Sequence, residues 1–516
     1  MIPTLHDLQF YADPRANQTR YGTLARTFES NFGTSPQFFA RSPGRVNLMG
    51  DHIDYNFFSV LPMAIDVDVV VAVSTVSDSN EITITNTNPE FKKSTIVLPS
   101  DGSVVTINHE LFSWANYFMC GLIVAHKYIL DSHPELVSGG KKPLKGLNMT
   151  FDGRVPTGGG LSSSAAICVA STLAILRANR LTEIPKKDLT KITVVTEHYI
   201  GVNTGGMDQC ASIYGEISKA LLIQFKPELN ATPFKFPQLH EDNELVFLIT
   251  NSLQVSNKHE TAPFHYNLRV VEMAIASDYL AAKLGLPPLP KDSNIKTGSL
   301  RGLLDAYFES KSQPKWNGKD IAIGIERLTA MLELLERNDI FTSDQKEGFT
   351  TEEAANGLGV TLDQFHQTYL SSFPVKYTKL KLYQRSKHVF QEASKVLQCL
   401  DLLQSYNGNP DKFLDDFGNI MNKSQVSLDV LHNSSNKELN EICAIAVANG
   451  SYGSRVTGAG WGGSIVHLTT AKKVGALKAA LKTNYYDKHF PGLTEQELAE
   501  AIVVSQPALG SSIVEL

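Results

Sequence analysis

The stretch Arg154-Val-Pro-Thr-Gly-Gly-Gly-Leu-Ser-Ser-Ser-Ala-Ala166 organises the rest of the chain. Alternating apolar residues at 147–151 predict a strand before it, and residues 165–176 have helical composition without a breaker. Backbone N–H groups and the helix dipole at such a junction favour an anion, and the serine hydroxyls can reach a metal. A plain turn with a serine N-cap is the alternative, but it needs one glycine rather than three. The stretch therefore predicts a phosphate site.

The composition is that of a globular protein rather than a nucleic-acid-binding or membrane protein. The 516 residues are 42% hydrophobic and 19% charged, and 47 basic against 53 acidic residues give a net charge of −6. There is no basic excess for nucleic acid, no apolar run of membrane-spanning length and no signal-peptide pattern. Five scattered cysteines without metal-ligand spacing predict unpaired thiols in a reducing cytoplasm.

Helices predicted between strands indicate an α/β or α+β chain. The β-branched runs at 65–76 and 82–85 predict strands, and helices are expected at 21–32 and 187–200. Ser42-Pro43-Gly44 predicts a turn after a short strand.

A second domain is expected to begin with the apolar strand at 245–250, which divides the chain into 1–240 and 241–516. An insert is expected at about 285–375. Its first part, 286–318, is rich in Pro, Ser and Lys and is interpreted as a surface excursion.

Three further patterns in the second domain predict helices. Apolar residues recur at 3–4 spacing over 321–335, and residues 380–403 form a long helix candidate. Thr361-Leu-Asp-Gln364 is a capping-box pattern at the start of another helix.

Two carboxylates are candidates to work beside the phosphate site. Asp208 lies in Gly205-Gly-Met-Asp-Gln209, where glycines let the backbone bring a carboxylate close to a substrate. Glu197 lies near the end of the preceding predicted helix and is a candidate metal ligand. One serine hydroxyl and one carboxylate suffice for Mg²⁺, because phosphate and water complete its shell. A loop-capping role is the alternative for Asp208 considered alone.

Arg45 is the candidate cation of the site. It precedes a cluster of hydrogen-bonding side chains, namely Asn47, Asp51, His52 and Asp54. One fixed cation among such groups suits a polyol with a phosphate beside it. A structural Arg–Asp ion pair is the alternative.

A second glycine-rich stretch, Gly458-Ala-Gly-Trp-Gly-Gly463, fits the dinucleotide-binding spacing G-x-G-x-x-G. That motif follows a strand and opens a helix, whereas here residues 464–468 predict a strand after it. We therefore interpret it as a hairpin that closes over a substrate. No P-loop motif occurs, nor do the protein-kinase motifs in a suitable context, and Trp114 is a candidate to stack on a base.

These motifs together resemble a known family. Gly44-Arg-Val-Asn-Leu-Met-Gly-Asp-His-Ile-Asp-Tyr55 resembles the galactokinase signature. Pro156-Thr-Gly-Gly-Gly-Leu-Ser-Ser-Ser-Ala-Ala166 resembles the ATP-binding motif of the GHMP small-molecule kinases, and 458–463 is similar to their third motif. The insert and Lys381-Leu-Tyr-Gln-Arg-Ser-Lys-His-Val-Phe390 are similar to the branch that holds fungal galactokinases and animal N-acetylgalactosamine kinases.

The resemblance implies ATP- and Mg²⁺-dependent phosphorylation of a hexose at its anomeric hydroxyl. It implies the GHMP kinase fold, with an N-terminal α/β domain, a ferredoxin-like C-terminal α+β domain and the active site in the cleft between them. Asp208 would be the catalytic carboxylate and Arg45 its charged neighbour, while Ser163 and Glu197 would bind Mg²⁺. Trp114 would line the adenine pocket.

Two larger sets of residues follow from the same resemblance. The phosphates would be held by Gly158, Gly159, Gly160, Leu161, Ser162, Ser163 and Ser164. The sugar would be contacted by Arg45, Asp51, His52, Asp54, Gly205, Asp208 and Tyr266. The family usually has Glu where Asp51 stands, so we expect activity with an altered sugar affinity.

The resemblance leaves the substrate and the role to be chosen. Tyr266 favours galactose, the substrate of the first committed step of galactose catabolism, because N-acetylgalactosamine kinases tend to have Phe there. Some fungal relatives are non-catalytic sensors that capture a transcriptional repressor, and they lack a Ser-Ala pair in the phosphate loop. Here Ser162-Ser-Ser-Ala-Ala166 is intact, which predicts a working kinase, although a bifunctional protein that also binds a repressor is an open alternative.

Overall fold

The structure is a computed structural model that describes residues 1–108, 113–196, 199, 205–239, 243–254 and 261–516. Within these ranges the strands form sheets of seven, four and two strands. The strands are β1 Thr4–Leu5, β2 Phe38–Met49, β3 Leu61–Val76, β4 Glu81–Asn86, β5 Ser94–Val97, β6 Gly146–Gly153, β7 Lys219–Gln224, β8 Asn230–Lys235, β9 Leu245–Asn251, β10 Gly453–Thr457, β11 Ser464–Thr470, β12 Ile502–Ser505 and β13 Ser512–Val514.

The helices surround the sheets and form a separate helical region after residue 265. They are α1 Pro14–Phe32, α2 Ala115–Ser132, α3 Ser163–Ala178, α4 Lys186–Thr193, α5 Met207–Tyr214, α6 Tyr266–Lys283, α7 Leu300–Glu309, α8 Ile321–Glu336, α9 Ser343–Glu347, α10 Thr351–Leu358, α11 Leu362–Phe365, α12 Leu382–Gln404, α13 Pro410–Ser427, α14 Lys437–Ala448, α15 Ala471–Leu481, α16 Asp487–His489 and α17 Glu495–Ala501. The short π-helical segment Leu428–His432 continues α13.

The seven-stranded sheet carries the first half of the chain. Its order is β1-β13-β2-β3-β6-β4-β5, and the long strands β2 and β3 pair antiparallel at its centre. Every residue of β2 is buried, because α3 and α5 cover it. The burial of most of β3 matches the β-branched composition from which it was predicted, whereas β2 is buried although it carries Arg41, Arg45 and Asn47.

The four-stranded sheet is antiparallel, in the order β10-β11-β9-β12. Its strand β9 is the one predicted at 245–250. The glycine-rich stretch 458–463 joins β10 to β11 as a hairpin loop and opens no helix. The interpretation as a hairpin is therefore confirmed, and a dinucleotide-binding turn is excluded at this position.

Several helix predictions are confirmed by the structure. The periodic segment 321–335 is α8, the candidate at 380–403 is α12, and Thr361 forms the capping box that starts α11. α1 begins at Pro14, earlier than predicted, and ends at Gly33, whose φ is +71°. The helix predicted at 187–200 is α4 up to Thr193, and residues 197, 198 and 200 lie outside the described residues.

Two sequence interpretations are wrong. Ser42-Pro43-Gly44 is not a turn but part of β2, where a register shift between Pro43 and Arg45 accommodates a residue that lacks an N–H donor. The segment 286–318 is not a surface excursion. It contains α7, whose leucines are buried, and its Trp316 is only 4% exposed. The apolar side chains therefore decide the burial of this segment, although its composition is rich in polar residues.

The chain returns to the first sheet at its last strand. β13 pairs antiparallel with β2 and parallel with β1, and its Ile513 and Val514 are buried. The domain boundary between residues 240 and 241 stays a prediction. Wherever that boundary lies, β13 belongs to the sheet that the N-terminal half of the chain forms. All five cysteines are free and buried, as predicted. In the described parts of the chain no helix has the length and apolarity that crossing a membrane requires.

Candidate active site

The predicted phosphate loop, residues 158–164, connects β6 to α3. Gly158 and Gly160 have φ values of +72° and +71°, a region that side chains other than glycine rarely adopt. Ser162 has φ +62°, and its hydroxyl is buried without a hydrogen-bond partner among the described residues. Its side chain makes no capping hydrogen bond at the start of α3. This orphaned hydroxyl at the N-terminus of a helix fits an anion site better than a plain capped turn.

Arg45 and Asp208 meet beside this loop. Asp208 lies in the first turn of α5, which Gly206 begins with φ +89°. Arg45 donates from Nε to Asp208 Oδ1 at 2.8 Å and from Nη1 to the Gly160 carbonyl at 2.7 Å. The side chains are 5% and 18% exposed, so both are shielded and Asp208 still reaches the cleft surface. The ion pair proposed as the structural alternative for Arg45 is thus present, and it is placed at the phosphate loop.

Asp54 and Gly205 lie in direct contact. A Cβ atom on Gly205 would overlap Oδ2 of Asp54, so glycine permits this approach. Burial, reinforced by the negative charge of nearby Asp208, raises the pKa of Asp54 to about 7. Asp54 is therefore partly protonated at neutral pH and can donate as well as accept a hydrogen bond.

His52 is a further predicted sugar contact in the same segment of the chain. Its Nε2 lies 2.8 Å from the Ala459 carbonyl and must donate to it, which leaves Nδ1 to accept from the Tyr55 hydroxyl at 3.2 Å. Burial lowers the pKa of His52 to about 3, so the ring is neutral. The ring of Tyr266, at the start of α6, lies 5.6 Å from that of His52 and 5.7 Å from that of Tyr55. The structure therefore brings these predicted sugar contacts together.

The structure describes only some of the residues that were predicted to contact the adenine and the metal. Trp114 precedes α2, packs edge-on to Phe151 at the end of β6, and donates its indole N–H to the Lys92 carbonyl at 2.9 Å. Ser163 is the first residue of α3. Glu197 lies outside the described residues. No cluster of three or more His, Cys, Asp or Glu suited to a metal occurs in the part of the chain that the structure describes. The orphaned Ser162 hydroxyl next to Ser163 is compatible with a metal that is bound largely by phosphate oxygens.

The chain is similar to known proteins over its whole length. Residues 26–75 match the galactokinase galactose-binding signature, 117–216 the GHMP kinases N terminal domain, and 403–487 the GHMP kinases C terminal domain. A galactokinase of Schizosaccharomyces pombe is 57% identical over 518 residues, covering 100% of this chain and 99% of that protein. A galactokinase of Candida albicans is 56% identical, covering 99% and 98%. The chain belongs to the galactokinase family.

Solved structures agree with that membership at the level of the fold. The structure of Lactococcus lactis galactokinase complexed with galactose superposes with a TM-score of 0.66 at 21% identity, covering 96% of this chain and 100% of that one. The predicted GHMP kinase fold is confirmed. As a member of the galactokinase family the chain is a kinase that uses ATP, and nothing found favours an N-acetylgalactosamine kinase or a non-catalytic sensor.

The structure adds an ion-pair network that the sequence did not reveal. Both carboxylate oxygens of Asp51 have internal partners. Oδ1 accepts from Asn47 Nδ2 at 3.1 Å and from the Gly458 N–H at 3.2 Å, and Oδ2 lies 2.6 Å from Arg455. The contact with Arg455 is electrostatic, since it lacks hydrogen-bond alignment at Oδ2. Burial raises the pKa of Asp51 despite this cation. The sugar contact expected of Asp51 stays a prediction.

Glu392 on α12 shares the same cation. Its Oε1 lies 3.2 Å from Arg455 Nη2 and accepts from the Gly50 N–H at 3.1 Å. Burial opposes its ionisation, but the charges of Arg455 and Lys395 outweigh burial and hold its pKa at about 2. A sequence signal existed, because Arg385, His388, Glu392 and Lys395 recur at 3–4 spacing on a helix side that is otherwise apolar.

A second network fixes the segment Leu428–His432 beside the predicted sugar contact His52. Arg269 donates from Nε to the His432 carbonyl at 2.7 Å, and Arg385 donates from Nη1 to the Leu431 carbonyl at 2.6 Å. Glu272 accepts from Arg385 at 2.7 Å and balances the two cations. The His432 ring stacks on His52 at 4.1 Å, so the network supports the position of His52. This role depends on contacts across long sequence distances, which no local pattern encodes.

Proposed function

We propose that the protein transfers the γ-phosphoryl group of ATP to the anomeric hydroxyl of galactose, giving galactose 1-phosphate and ADP. The observation that carries the proposal is the Arg45–Asp208 pair, placed at the Gly160 carbonyl of the phosphate loop. A carboxylate held beside a phosphate site is what activation of a sugar hydroxyl requires. Membership of the galactokinase family and the match to the galactose-binding signature support galactose as the acceptor.

The carboxylate of Asp208 accepts the proton of the anomeric hydroxyl while the sugar oxygen bonds to the γ-phosphorus. The bond from that phosphorus to the β,γ-bridging oxygen breaks, and ADP leaves with the electron pair. General-base assistance of this kind contributes roughly 10²- to 10⁴-fold. The guanidinium of Arg45 orients Asp208 and offsets negative charge that develops on the transferred group.

The phosphates of ATP are held by the N–H groups of residues 158–164 and the N-terminus of α3, with Trp114 beside the adenine. Ser163 and Glu197 would hold Mg²⁺, which when bound neutralises charge on the β- and γ-phosphates. The sugar is oriented by Arg45, Asp51, His52, Asp54, Gly205, Asp208 and Tyr266. Because the His52 ring is neutral and Asp54 is partly protonated, the pocket offers both donors and acceptors to hydroxyl groups.

The metal assignment has its own test. We expect Ser163→Ala to raise the Mg²⁺ concentration needed for half-maximal rate about tenfold or more, because one oxygen ligand is lost. Ser113→Ala, at an exposed position before α2, is the matched control. An unchanged Mg²⁺ requirement would remove Ser163 from the site.

The acceptor preference follows from the family rather than from a contact with the sugar. Tyr266 at the pocket wall supports galactose over N-acetylgalactosamine. A repressor partner has no support among these observations, and the intact Ser162-Ser-Ser-Ala-Ala166 supports catalysis. The cytoplasmic location stays a prediction from the five free thiols.

An ADP-release assay with galactose and N-acetylgalactosamine tests the function. We expect turnover with galactose and a several-fold or greater preference over the acetylated sugar. Asp208→Asn should lower kcat by at least about 100-fold while the nucleotide still binds, and exposed Asp101→Asn should leave kcat unchanged. A preference for the acetylated sugar would show that N-acetylgalactosamine is the acceptor. Ligand binding without turnover would show that the protein is a sensor rather than an enzyme.

A further inference from the structure

Trp461 is the one large side chain in the hairpin loop 458–463. Its φ is +57°, a left-handed conformation that bulky residues rarely adopt. Two hydrogen bonds hold it there. The Trp461 N–H donates to the Ser434 carbonyl at 2.7 Å, and the indole Nε1–H donates to the Asn433 carbonyl at 2.7 Å. The backbone and the side chain of Trp461 therefore both bind the loop to the turn that follows Leu428–His432.

The indole ring of Trp461 reaches the sugar side of the site. It stacks parallel to His265 with ring centres 4.7 Å apart and an interplanar angle of 2°. It lies 5.6 Å from the His52 ring and 6.1 Å from the His432 ring. The guanidinium of Arg269 lies 5.5 Å from its centre. Trp461 thus contacts both the wall formed by His52 and the residue directly before Tyr266.

The backbone of the same loop rests on the phosphate loop. A Cβ atom on Gly458 would lie 2.7 Å from the Gly160 carbonyl oxygen, and one on Gly463 would lie 3.4 Å from Gly159. The Gly160 carbonyl is the acceptor for Arg45, which in turn holds Asp208. A displacement of the hairpin loop would therefore reach the catalytic pair through atoms already in contact.

We propose that Trp461 is a positioning residue that couples the sugar pocket to the phosphate loop, so that galactose and ATP each bind more tightly when the other is present. The inference rests on the proposed function, because it takes galactose and ATP as the two ligands. Sugar that orders His52 and Tyr266 holds the indole, and the indole holds the hairpin loop against Gly159 and Gly160. By thermodynamic linkage, nucleotide that orders the phosphate loop favours sugar by the same factor.

The test is the galactose Kd, measured by calorimetry with and without a non-hydrolysable ATP analogue and Mg²⁺. For the wild type we expect the analogue to tighten galactose binding about tenfold, within the usual range for coupled sites. Trp461→Leu removes the stack and the Nε1 hydrogen bond, and we expect its coupling factor to fall to within twofold of one. Trp461→Phe keeps a stacking ring but lacks the donor, and an intermediate factor is expected.

Trp316 provides a matched control on the same chain. It also donates its indole N–H to a backbone carbonyl, that of Asp320 at 2.9 Å, and also lies under an arginine, Arg301 at 4.6 Å. Trp316→Phe loses the same kind of hydrogen bond and keeps a ring, away from the hairpin loop, so it should keep the wild-type coupling factor whatever it does to stability. If Trp461→Leu does not fold, the coupling factor measured for Trp461→Phe decides the test.

Two results overturn the inference. One is a wild-type coupling factor of one, and the other is a wild-type factor in folded Trp461→Leu or, if that variant is unfolded, in Trp461→Phe. Failure of galactose or the analogue to bind the wild type at all would instead contradict the proposed function. In kinetics, the expected signature is a rise in the KM of both substrates in the Trp461 variants, which a purely structural loss in Trp316→Phe does not produce.

Discussion

The guanidinium of Arg45 serves two acceptors with separate nitrogen atoms. Nε binds Asp208, and Nη1 binds the Gly160 carbonyl, so one planar group sets the distance between the carboxylate and the phosphate loop. A lysine ammonium is a point charge on a flexible stem and does not reproduce this fork.

We expect Arg45→Lys to lower kcat roughly 10²- to 10³-fold, the usual effect of removing one preorganised electrostatic contact. Nucleotide affinity should change much less, because the phosphate loop is intact. Steady-state kinetics measures both quantities. Exposed Arg26→Lys on α1 is the control, and a kcat within about threefold of wild type for Arg45→Lys would contradict the assignment.

Asp54 gives a prediction for pH. Its pKa in the folded protein is about 7, above the ordinary value of 3.8, so folding favours its protonated form. Its stabilising contribution is therefore complete below pH 3.8 and is lost as pH rises through about 7. The pKa difference corresponds to at most about 4 kcal/mol at 1.4 kcal/mol per pKa unit. Ligand-free wild type should lose more stability between pH 5 and pH 8 than Asp54→Asn.

Urea unfolding at several pH values measures this difference. The comparison with Asp54→Asn is needed because buried His52 and His388 have lowered pKa values and act in the opposite direction below pH 6.5. Asp66→Asn is a useful second comparison, since burial raises the pKa of Asp66 to about 6 at a position outside the pocket. Parallel pH profiles for wild type and Asp54→Asn would rule out the perturbed carboxyl.

Among individual residues, those with unusual local chemistry could be predicted from the sequence. The glycines, the serine cluster, Arg45 and Asp208 could be named because their types and spacing are rarely needed for packing alone. The pairing of Glu392 with Arg455 could not be predicted, because each residue lies inside a regular element and the two meet only when distant segments come together. Buried charges are visible as a pattern on α12, but their partners are not.

The hairpin between β10 and β11 packs its backbone against the phosphate loop. Gly458 has φ +84°, and a Cβ atom there would lie 2.7 Å from the Gly160 carbonyl oxygen. We expect Gly458→Ala to lower kcat about 100-fold, since a displacement of the catalytic group by about 1 Å has effects of that order.

Gly33 supplies the matched control for Gly458. Its φ is +71°, but no atom lies within 4 Å of a Cβ built there. Gly33→Ala should therefore cost only the left-handed strain, roughly 1–2 kcal/mol of unfolding free energy, with kcat unchanged. Equal kinetic effects in the two variants would show that strain alone, and not the contact with Gly160, accounts for the loss.

Elements were predictable where a period or a cap signals them locally. The 3–4 spacing in α8 and the capping box of α11 are examples. The pattern misled at Ser42-Pro43-Gly44, because a fully buried strand can absorb a proline at a register shift. It misled again at 286–318, where a few apolar side chains decide burial although most residues are polar.

The strand β13 completes the seven-stranded sheet by pairing with strands from the start of the chain. β13 lies between β1 and β2, so the sheet below the active site is complete only when both ends of the described chain are in place. We expect the double variant Ile513→Ala, Val514→Ala to lose about 3–6 kcal/mol of unfolding free energy by creating cavities. Leu516→Ala, at a side chain 61% exposed, should change it by less than about 0.5 kcal/mol.

Urea unfolding followed by circular dichroism measures both variants. If the double variant were as stable as the wild type, β13 would be a loosely attached segment rather than part of the core. The sequence did not predict this strand, because its three residues carry no period and strand order in a sheet is a property of the whole chain.

The position of β13 also bears on how the protein is made. A ribosome completes β2 and β3 more than 400 residues before it reaches β13, an interval of roughly 20–90 s at ordinary elongation rates. Throughout that time one side of β2 has no neighbour and presents unpaired N–H and C=O groups. The nascent chain therefore passes through a long aggregation-prone stage that lasts until β13 is made, and slow translation or scarce chaperones should reduce the yield of this kinase more than that of a protein whose sheets close early.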